Sequence, residues 1–199
     1  MAFITELDIV NACLQSMGRS PINSVASGSP IIASALASLR TCMMQEQAIG
    51  WWFNNEVVKL SAQTNGQVSC PADTLKLTTD QNPPWLSTRG QLLYDNRIGD
   101  YFTTTGQITV ALTRLIPLDK LPYQAAMLVQ CASVLNFQKA FDADAAKIDT
   151  ASQDYRKALS LMNTEHIRSV QANMLYQGSA GMRVQRTRDV TCPDGRWRR

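Results

Sequence analysis

The stretch Gly50-Trp51-Trp52-Phe53-Asn54-Asn55 marks the point where the sequence changes from helical to strand periodicity. Apolar residues recur at helical spacing before it, and residues 56–116 alternate as short strands do. Large aromatic side chains bury roughly 150–250 Å² each when they enter a core. We therefore predict that Trp51, Trp52 and Phe53 form a structural junction between a helical layer and an inserted β layer. The alternative is an exposed aromatic patch.

Two helices are predicted before this junction. Thr5 can cap the first helix, because Asp8 stands at the capping-box position three residues later. The second helix has Ser29 as its N-cap and Pro30 at its first helical position, and it runs to about Ile49. The glycine that follows is a natural stop.

The block after the junction is predicted to be antiparallel and strand-rich. Residues 108–116 form the most convincing strand, and residues 91–105 form a hairpin around Asp95-Asn96-Arg97. The segment Asn82-Pro83-Pro84-Trp85 is expected to be a loop, because proline cannot donate to a strand ladder.

Two further helices are predicted after the strands. The third starts near Leu121-Pro122, and Asp142 and Asp144 are expected to open the fourth, where carboxylates favour the positive helix end. Helical character is expected to fade after His166. This sole histidine is interpreted as a solvated helix residue, because no catalytic partner pattern accompanies it.

These elements predict an α+β fold made of three parts. Residues 1–53 and 118–174 would form an antiparallel four-helix bundle. Residues 54–117 would form a small antiparallel β domain inserted between the second and third helices. Residues 175–199 would form an extended C-terminal arm.

The charge of the chain is concentrated in that arm. Residues 175–199 hold six arginines and two aspartates, a net +4, whereas residues 1–174 hold 13 basic and 14 acidic residues, a net −1. A basic arm is typical of binding to nucleic acid or to an acidic protein surface, and a disordered solubilising terminus is the alternative. Trp197 lies among arginines, and Trp and Arg are the residue types that dominate interface hot spots.

Nothing in the sequence indicates an enzyme. It contains no serine elbow, zinc motif, dinucleotide fingerprint or P-loop, so neither a cofactor nor a metal is expected. The five cysteines form no CxxC pair, which favours a reducing compartment over a disulfide framework. No apolar run reaches the roughly 18–20 residues of a membrane span. The sequence therefore favours a structural or interaction protein with no membrane partner.

The order of these elements resembles the tail tubular protein A family, the head-to-tail adaptors of short-tailed bacteriophages. The Ile49-Gly50-Trp51-Trp52-Phe53-Asn54 segment is similar to that family's Gly-Trp-aromatic-Phe-Asn block. The strand Ile108-Thr109-Val110-Ala111-Leu112-Thr113-Arg114-Leu115 and the later Leu121-Pro122-Tyr123 helix start also match it. The resemblance covers roughly residues 5–170.

The resemblance implies a homo-oligomeric ring, a dodecamer, in the tail of the virion, assembled in the host cytoplasm. Such a ring would lie between the portal protein and the tail nozzle protein, and genomic DNA would pass through its lumen without sequence-specific binding. The family's C-terminal arm reaches toward the portal, which makes portal-binding candidates of Arg183, Arg186, Arg188 and Trp197. The main alternative is a nucleic-acid-binding module that uses the basic arm.

Overall fold

The computed structural model describes residues 4–26, 29–78, 82–141 and 145–177, with side chains described as far as residue 170. Within these residues the chain forms four α-helices and two small antiparallel sheets, so the α+β class is confirmed. The helices are α1 (Glu6–Ser16), α2 (Pro30–Ala48), α3 (Tyr123–Ala140) and α4 (Ala145–Gln177), with a 3-10 turn at Leu118–Lys120. The strands are β1 (Asn55–Ser61), β2 (Thr74–Leu77), β3 (Leu86–Arg89), β4 (Leu92–Asp95), β5 (Asp100–Tyr101) and β6 (Gln107–Arg114).

The first helix begins with the predicted capping box. The Asp8 amide donates to Thr5 Oγ1 at 3.2 Å, and the Thr5 amide donates to Asp8 Oδ2 at 2.9 Å. These bonds satisfy donors that a helix start otherwise leaves free. For α2, Ser29 and Pro30 hold the predicted positions, but the Ser29 side chain makes no cap hydrogen bond.

The helical layer is organised around α3. This helix packs against α1, α2 and α4, and its fully buried Phe137 joins the core that α1 and α2 share. A second apolar cluster joins α3 to α4 through Leu128 and Met162, both fully buried. A helix that contacts three others must be apolar on most of its circumference, which accounts for the buried residues on nearly every side of α3.

The two sheets share one core. Strand order is β1-β6-β2 in the first sheet and β3-β4-β5 in the second. In the first sheet Val58 lies opposite Val110. Leu60 and Leu112 of this sheet pack with Leu93 of the second sheet in a single buried cluster. Central β6 is the strand that the sequence predicts most clearly, because its apolar residues alternate over eight positions.

Two expectations from the sequence are corrected by the structure. Strand β3 was not predicted, because the loop Asn82-Pro83-Pro84-Trp85 masks a strand that begins directly after it, at Leu86. The prolines form a turn instead, in which the Leu86 amide donates to the Pro83 carbonyl at 2.9 Å. The expected end of helical structure after His166 is also wrong, since α4 continues to Gln177.

Two other predicted features, Asp142 and Asp144 at the start of the fourth helix, lie outside the described residues. Within the described ranges, no helix is both long enough and apolar enough to cross a membrane.

Candidate functional site

The change from helix to strand is made at Gly50. Its φ of +91° is a conformation that favours glycine. A Cβ at this position would lie 3.2 Å from Asn55 Oδ1 and 3.4 Å from Thr113 Oγ1. Both the backbone conformation and the close approach of β1 and β6 therefore require glycine here.

The three aromatic residues of the predicted junction occupy different environments. Trp51 is only 3% exposed, lies in the α3–α4 core cluster, and donates its Nε1–H to the Glu46 carbonyl at 2.7 Å. Trp52 and Phe53 are half-buried against the same cluster and stack edge to face at 5.3 Å. All three rings pack on the helical core, and Trp51 is the one that is fully enclosed.

Asn54 makes the polar connection between the two layers. It is fully buried, and its Nδ2 donates to the Gln47 carbonyl at 2.9 Å and to the Arg114 carbonyl at 3.0 Å. Its Oδ1 accepts from the Trp51 amide at 2.7 Å. One side chain thus joins the end of α2, the aromatic turn and the end of β6.

Gln47, near the end of α2, makes a second connection through its side chain. Its Oε1 accepts from the Ile116 amide at 2.7 Å, and its Nε2 donates to the Ile116 carbonyl at 2.9 Å. The side-chain amide therefore pairs with the backbone as a neighbouring strand would. Since Gln47 is itself buried, loss of either bond would leave a desolvated polar group.

Ion pairs and a lysine complete the contacts at the edge of the first sheet. Arg114 pairs with Glu56 of β1 at 2.9 Å and with Asp73 before β2. Both carboxylates raise the pKa of the Arg114 guanidinium, through hydrogen bonds that outweigh its partial desolvation. Lys76 donates to the Ile49 carbonyl at 3.0 Å, so the last turn of α2 is also held from β2.

His166 is not the solvated residue that the sequence suggested. Its ring meets Trp51 edge to face at 5.5 Å and lies 6.1 Å from the Trp52 ring. Its Nδ1 is buried and has no hydrogen-bond partner in the described part of the chain. The long α4 carries His166 back to the junction, a contact across more than 110 residues that no local pattern reveals.

A buried acid lies beside the junction. The Tyr155 hydroxyl of α4 donates to Glu46 Oε1 at 3.0 Å, while Glu46 Oε2 is buried without a partner among the described residues. Burial raises the pKa of Glu46, and the bond from Tyr155 opposes that rise only in part. Burial and the neighbouring carboxylate together raise the pKa of Tyr155 to about 12.

The described residues offer no centre for metal binding. They contain no group of three or more His, Cys, Asp or Glu side chains that could hold a metal ion. Cys13, Cys42, Cys70 and Cys131 are free thiols, and burial raises the pKa of Cys13 to about 12, which suits packing rather than reactivity. The portal-binding candidates Arg183, Arg186, Arg188 and Trp197 lie outside the described residues.

Comparison with known proteins agrees with this architecture. A family model described as tail tubular protein matches residues 7–172. The chain belongs to the tail tubular protein family. This confirms the resemblance inferred from the sequence, and the matched range spans the whole junction with both layers around it. No curated protein matches the chain.

The tail tubular protein family is a family of structural virion proteins, which makes this chain a structural component of a phage tail that assembles into oligomers. The role of Trp51, Trp52 and Phe53 as a structural junction stays a prediction. Sequence reasoning did not single out Gln47 and Glu46, which lie beside these residues in the structure. The only hint in the sequence was that Glu46 and Gln47 are polar residues within a largely apolar helix that carries little charge.

We predict that the junction tryptophans differ in their contribution to stability. Trp51→Ala should lower the free energy of unfolding by about 3–5 kcal/mol, the usual range for a buried aromatic. Trp52→Ala should cost clearly less, because its ring is only half-buried. Urea unfolding followed by circular dichroism measures both changes. If both substitutions lowered the free energy of unfolding by the same amount, the two rings would contribute equally, contrary to the difference in their burial.

We also predict a pH dependence that comes from Glu46. Because burial raises its pKa in the folded state, the folded chain binds this proton more tightly than the unfolded chain. The stabilisation is complete below the unfolded pKa of about 4.5 and is lost as the pH rises through the elevated folded pKa.

In Glu46→Gln this contribution should disappear, so the stability difference between variant and wild type should grow in favour of the variant as the pH rises above about 4.5. Chemical unfolding of both proteins across the pH range tests this. Asp149→Asn, which alters an exposed acid on α4, is the matched control. If the stability difference between Glu46→Gln and wild type did not change with pH, the raised pKa of Glu46 in the folded chain would be contradicted.

Proposed function

We propose that this chain is a head-to-tail adaptor: copies of it, twelve in number, form a closed ring between the portal protein and the tail nozzle protein. The observation that carries the proposal is the family match across residues 7–172. The proposed site of action is the virion tail, after assembly in the host cytoplasm. The ring would form part of the DNA channel and act mechanically, without a catalytic step.

The helical layer and the β layer of one subunit are proposed to have different roles. We propose that residues 1–53 and 118–174 act as an antiparallel four-helix bundle that supplies the lateral contacts between subunits. The packing of α3 against the other three helices supports this arrangement. Residues 54–117 would act as the β domain that faces the next tail component, and their strands support this division by sharing a core cluster of their own.

The charge distribution fits a channel through which DNA slides. Residues 1–174 carry a net charge of −1, and phosphate affinity rises with each base that neutralises a phosphate. A wall built from this part of the chain would not hold the duplex. The arginines of the arm are therefore expected to point away from the channel axis, toward the portal.

The basic arm also supports a second candidate function, a nucleic-acid-binding module. Its net charge of +4 over residues 175–199 would then bind phosphates, and the affinity would fall steeply with salt. The two functions differ in what the arm touches, and this difference can be measured.

We predict that the purified protein, mixed with portal, forms a closed ring stacked coaxially on the portal. Electron microscopy with class averaging shows the symmetry and the stacking directly. The same preparation, tested for duplex DNA retention at low and physiological salt, serves as the control. Salt-sensitive DNA retention by single subunits, with no ring on the portal, would establish the nucleic-acid-binding module instead.

We predict that the arm is needed for portal attachment and not for folding. Deleting residues 178–199, which follow the end of α4 at Gln177, should leave the melting temperature nearly unchanged. The same deletion should strongly weaken binding to the portal, because Arg183, Arg186, Arg188 and Trp197 are the proposed anchors. Pull-down with portal at matched salt measures this binding. Undiminished binding of the truncated chain would show that another surface makes the contact.

A further inference from the structure

A groove runs between α3 and α4. One cavity of about 350 Å³ is lined by Tyr123, Met127, Ala158 and Leu161, and a second cavity of about 330 Å³ continues along the same helix pair. Asp154 lines both cavities, so they meet at that residue. We call the combined feature the α3–α4 groove.

The two ends of the groove differ in chemistry. At the apolar end, Tyr123 and Leu161 remain 50% and 65% exposed beside the cavity. Large apolar side chains grouped at the rim of a cavity are typical of an interaction site. At the polar end, Gln138 is only 1% exposed, yet both of its amide atoms lack a hydrogen-bond partner in the described structure.

The unpaired Gln138 is unusual within this chain. Gln47 and Asn54, which are buried to the same degree, pair fully with backbone groups. A buried amide without partners costs the free energy of its desolvation. Both amide atoms of Gln138 are covered by the protein itself, so the amide lies beneath the floor of this end of the groove.

The outward face of α2 has a shape and charge that suit the groove. Ala33, Ala37, Arg40 and Met44 are exposed at spacings of four, three and four residues, which places them in one stripe. Arg40 is the one charge in that stripe, and it forms no ion pair within the described residues. Met44, which is 48% exposed, gives the stripe an apolar end.

We propose that α2 of one copy lies in the α3–α4 groove of the next copy, with Arg40 paired to Asp154. This inference rests on the proposed ring and names the surfaces that close it. The two faces differ, so the contact is heterologous and repeats from subunit to subunit, as a ring requires. It is an instance of helix-in-groove recognition between identical chains.

The register follows from the pairing of Arg40 with Asp154. Helices rise about 1.5 Å per residue, so Met44 lies about 6 Å from Arg40 along α2, and Ala158 of the apolar cavity lies about 6 Å from Asp154 along α4. The apolar end of α2 therefore reaches the apolar end of the groove when α2 runs in the same direction as α4. Toward the N-terminal ends of both helices, the same register places Ala37 near Ala151. These two small residues allow the helices to approach closely.

The same register brings the start of α2 toward Gln138. The first turn of a helix has N–H groups without intrahelical partners, and the Ser29 side chain makes no cap hydrogen bond to them.

The remaining charges of the groove do not oppose this arrangement. Lys147 and Lys157 also line it, but in this register they face neutral positions of α2. The 3.4 Å pair between Asp154 and Lys157 is exposed on both sides and contributes little, so it does not compete strongly with Arg40.

Charge reversal across the contact tests the proposal. Arg40→Glu and Asp154→Arg should each raise the protein concentration needed for ring assembly by at least about tenfold, because each places like charges in contact. The double variant should restore assembly to within about threefold of wild type, since the pair is re-formed with opposite polarity. Mass photometry and electron microscopy, with portal added as a template, measure the assembled fraction.

Matched controls use the same charge changes outside the groove. Asp149→Arg and Arg156→Glu alter exposed residues of α4 that line neither cavity, and both should assemble like wild type. Circular dichroism of every variant shows that the fold is retained. As a second measurement, Ala37→Cys with Ala151→Cys, in a Cys131→Ser background, should form disulfides between subunits on oxidation.

The outcomes separate this contact from the proposed function. If wild type forms rings and the reversed variants assemble equally well, the ring stands and this contact is wrong. Single-variant defects without rescue in the double variant would also overturn the pairing of Arg40 with Asp154. If wild type forms no ring, alone or on the portal, the adaptor function itself fails and this contact fails with it.

Discussion

The structure depends on two buried amide side chains, Gln47 and Asn54, that join the helical layer to the strands. Together they bond the backbone at Trp51, Arg114 and Ile116, with donor–acceptor distances between 2.7 and 3.0 Å. Apolar contacts at the same place would be non-directional and would permit the layers to slide. Hydrogen bonds in a dry interior fix one orientation, because any other leaves desolvated groups unpaired.

The same device recurs wherever an irregular segment must be held against a regular element. Asn11 of α1 pairs both amide atoms with the backbone of Ile22, at 2.8 and 3.1 Å. Asn82, in the loop before β3, pairs with Ala111 of β6 at 2.6 and 2.9 Å. An amide side chain offers one acceptor and donors in the geometry of a peptide group, so it can replace a missing strand or turn. Gln138 departs from this pattern, because neither of its amide atoms has a partner among the described residues.

Local features of the sequence were sufficient to predict much of the fold. The capping box of Thr5 and Asp8 and the alternation along β6 depend on neighbours a few residues apart, and both appear as expected. The end of the second helix at Gly50 was likewise predictable, because glycine favours the positive φ that often ends a helix. Membership of the tail tubular protein family followed from the order of these elements and from the aromatic block.

The parts that sequence reasoning missed depend on contacts between distant residues. His166 lies at the junction only because α4 is long enough to return there, and a single sequence contains no local sign of that length. Gln47 looks like an ordinary polar helix residue until Ile116 is placed beside it, 69 positions later. In a ring of the kind proposed, lateral contacts act on the helices and axial contacts act on the strands. Forces from both sets of contacts would then be transmitted through the hydrogen bonds of Gln47 and Asn54. Because these bonds are directional, they would hold the helical layer and the strands in one orientation, which apolar contacts alone would not do.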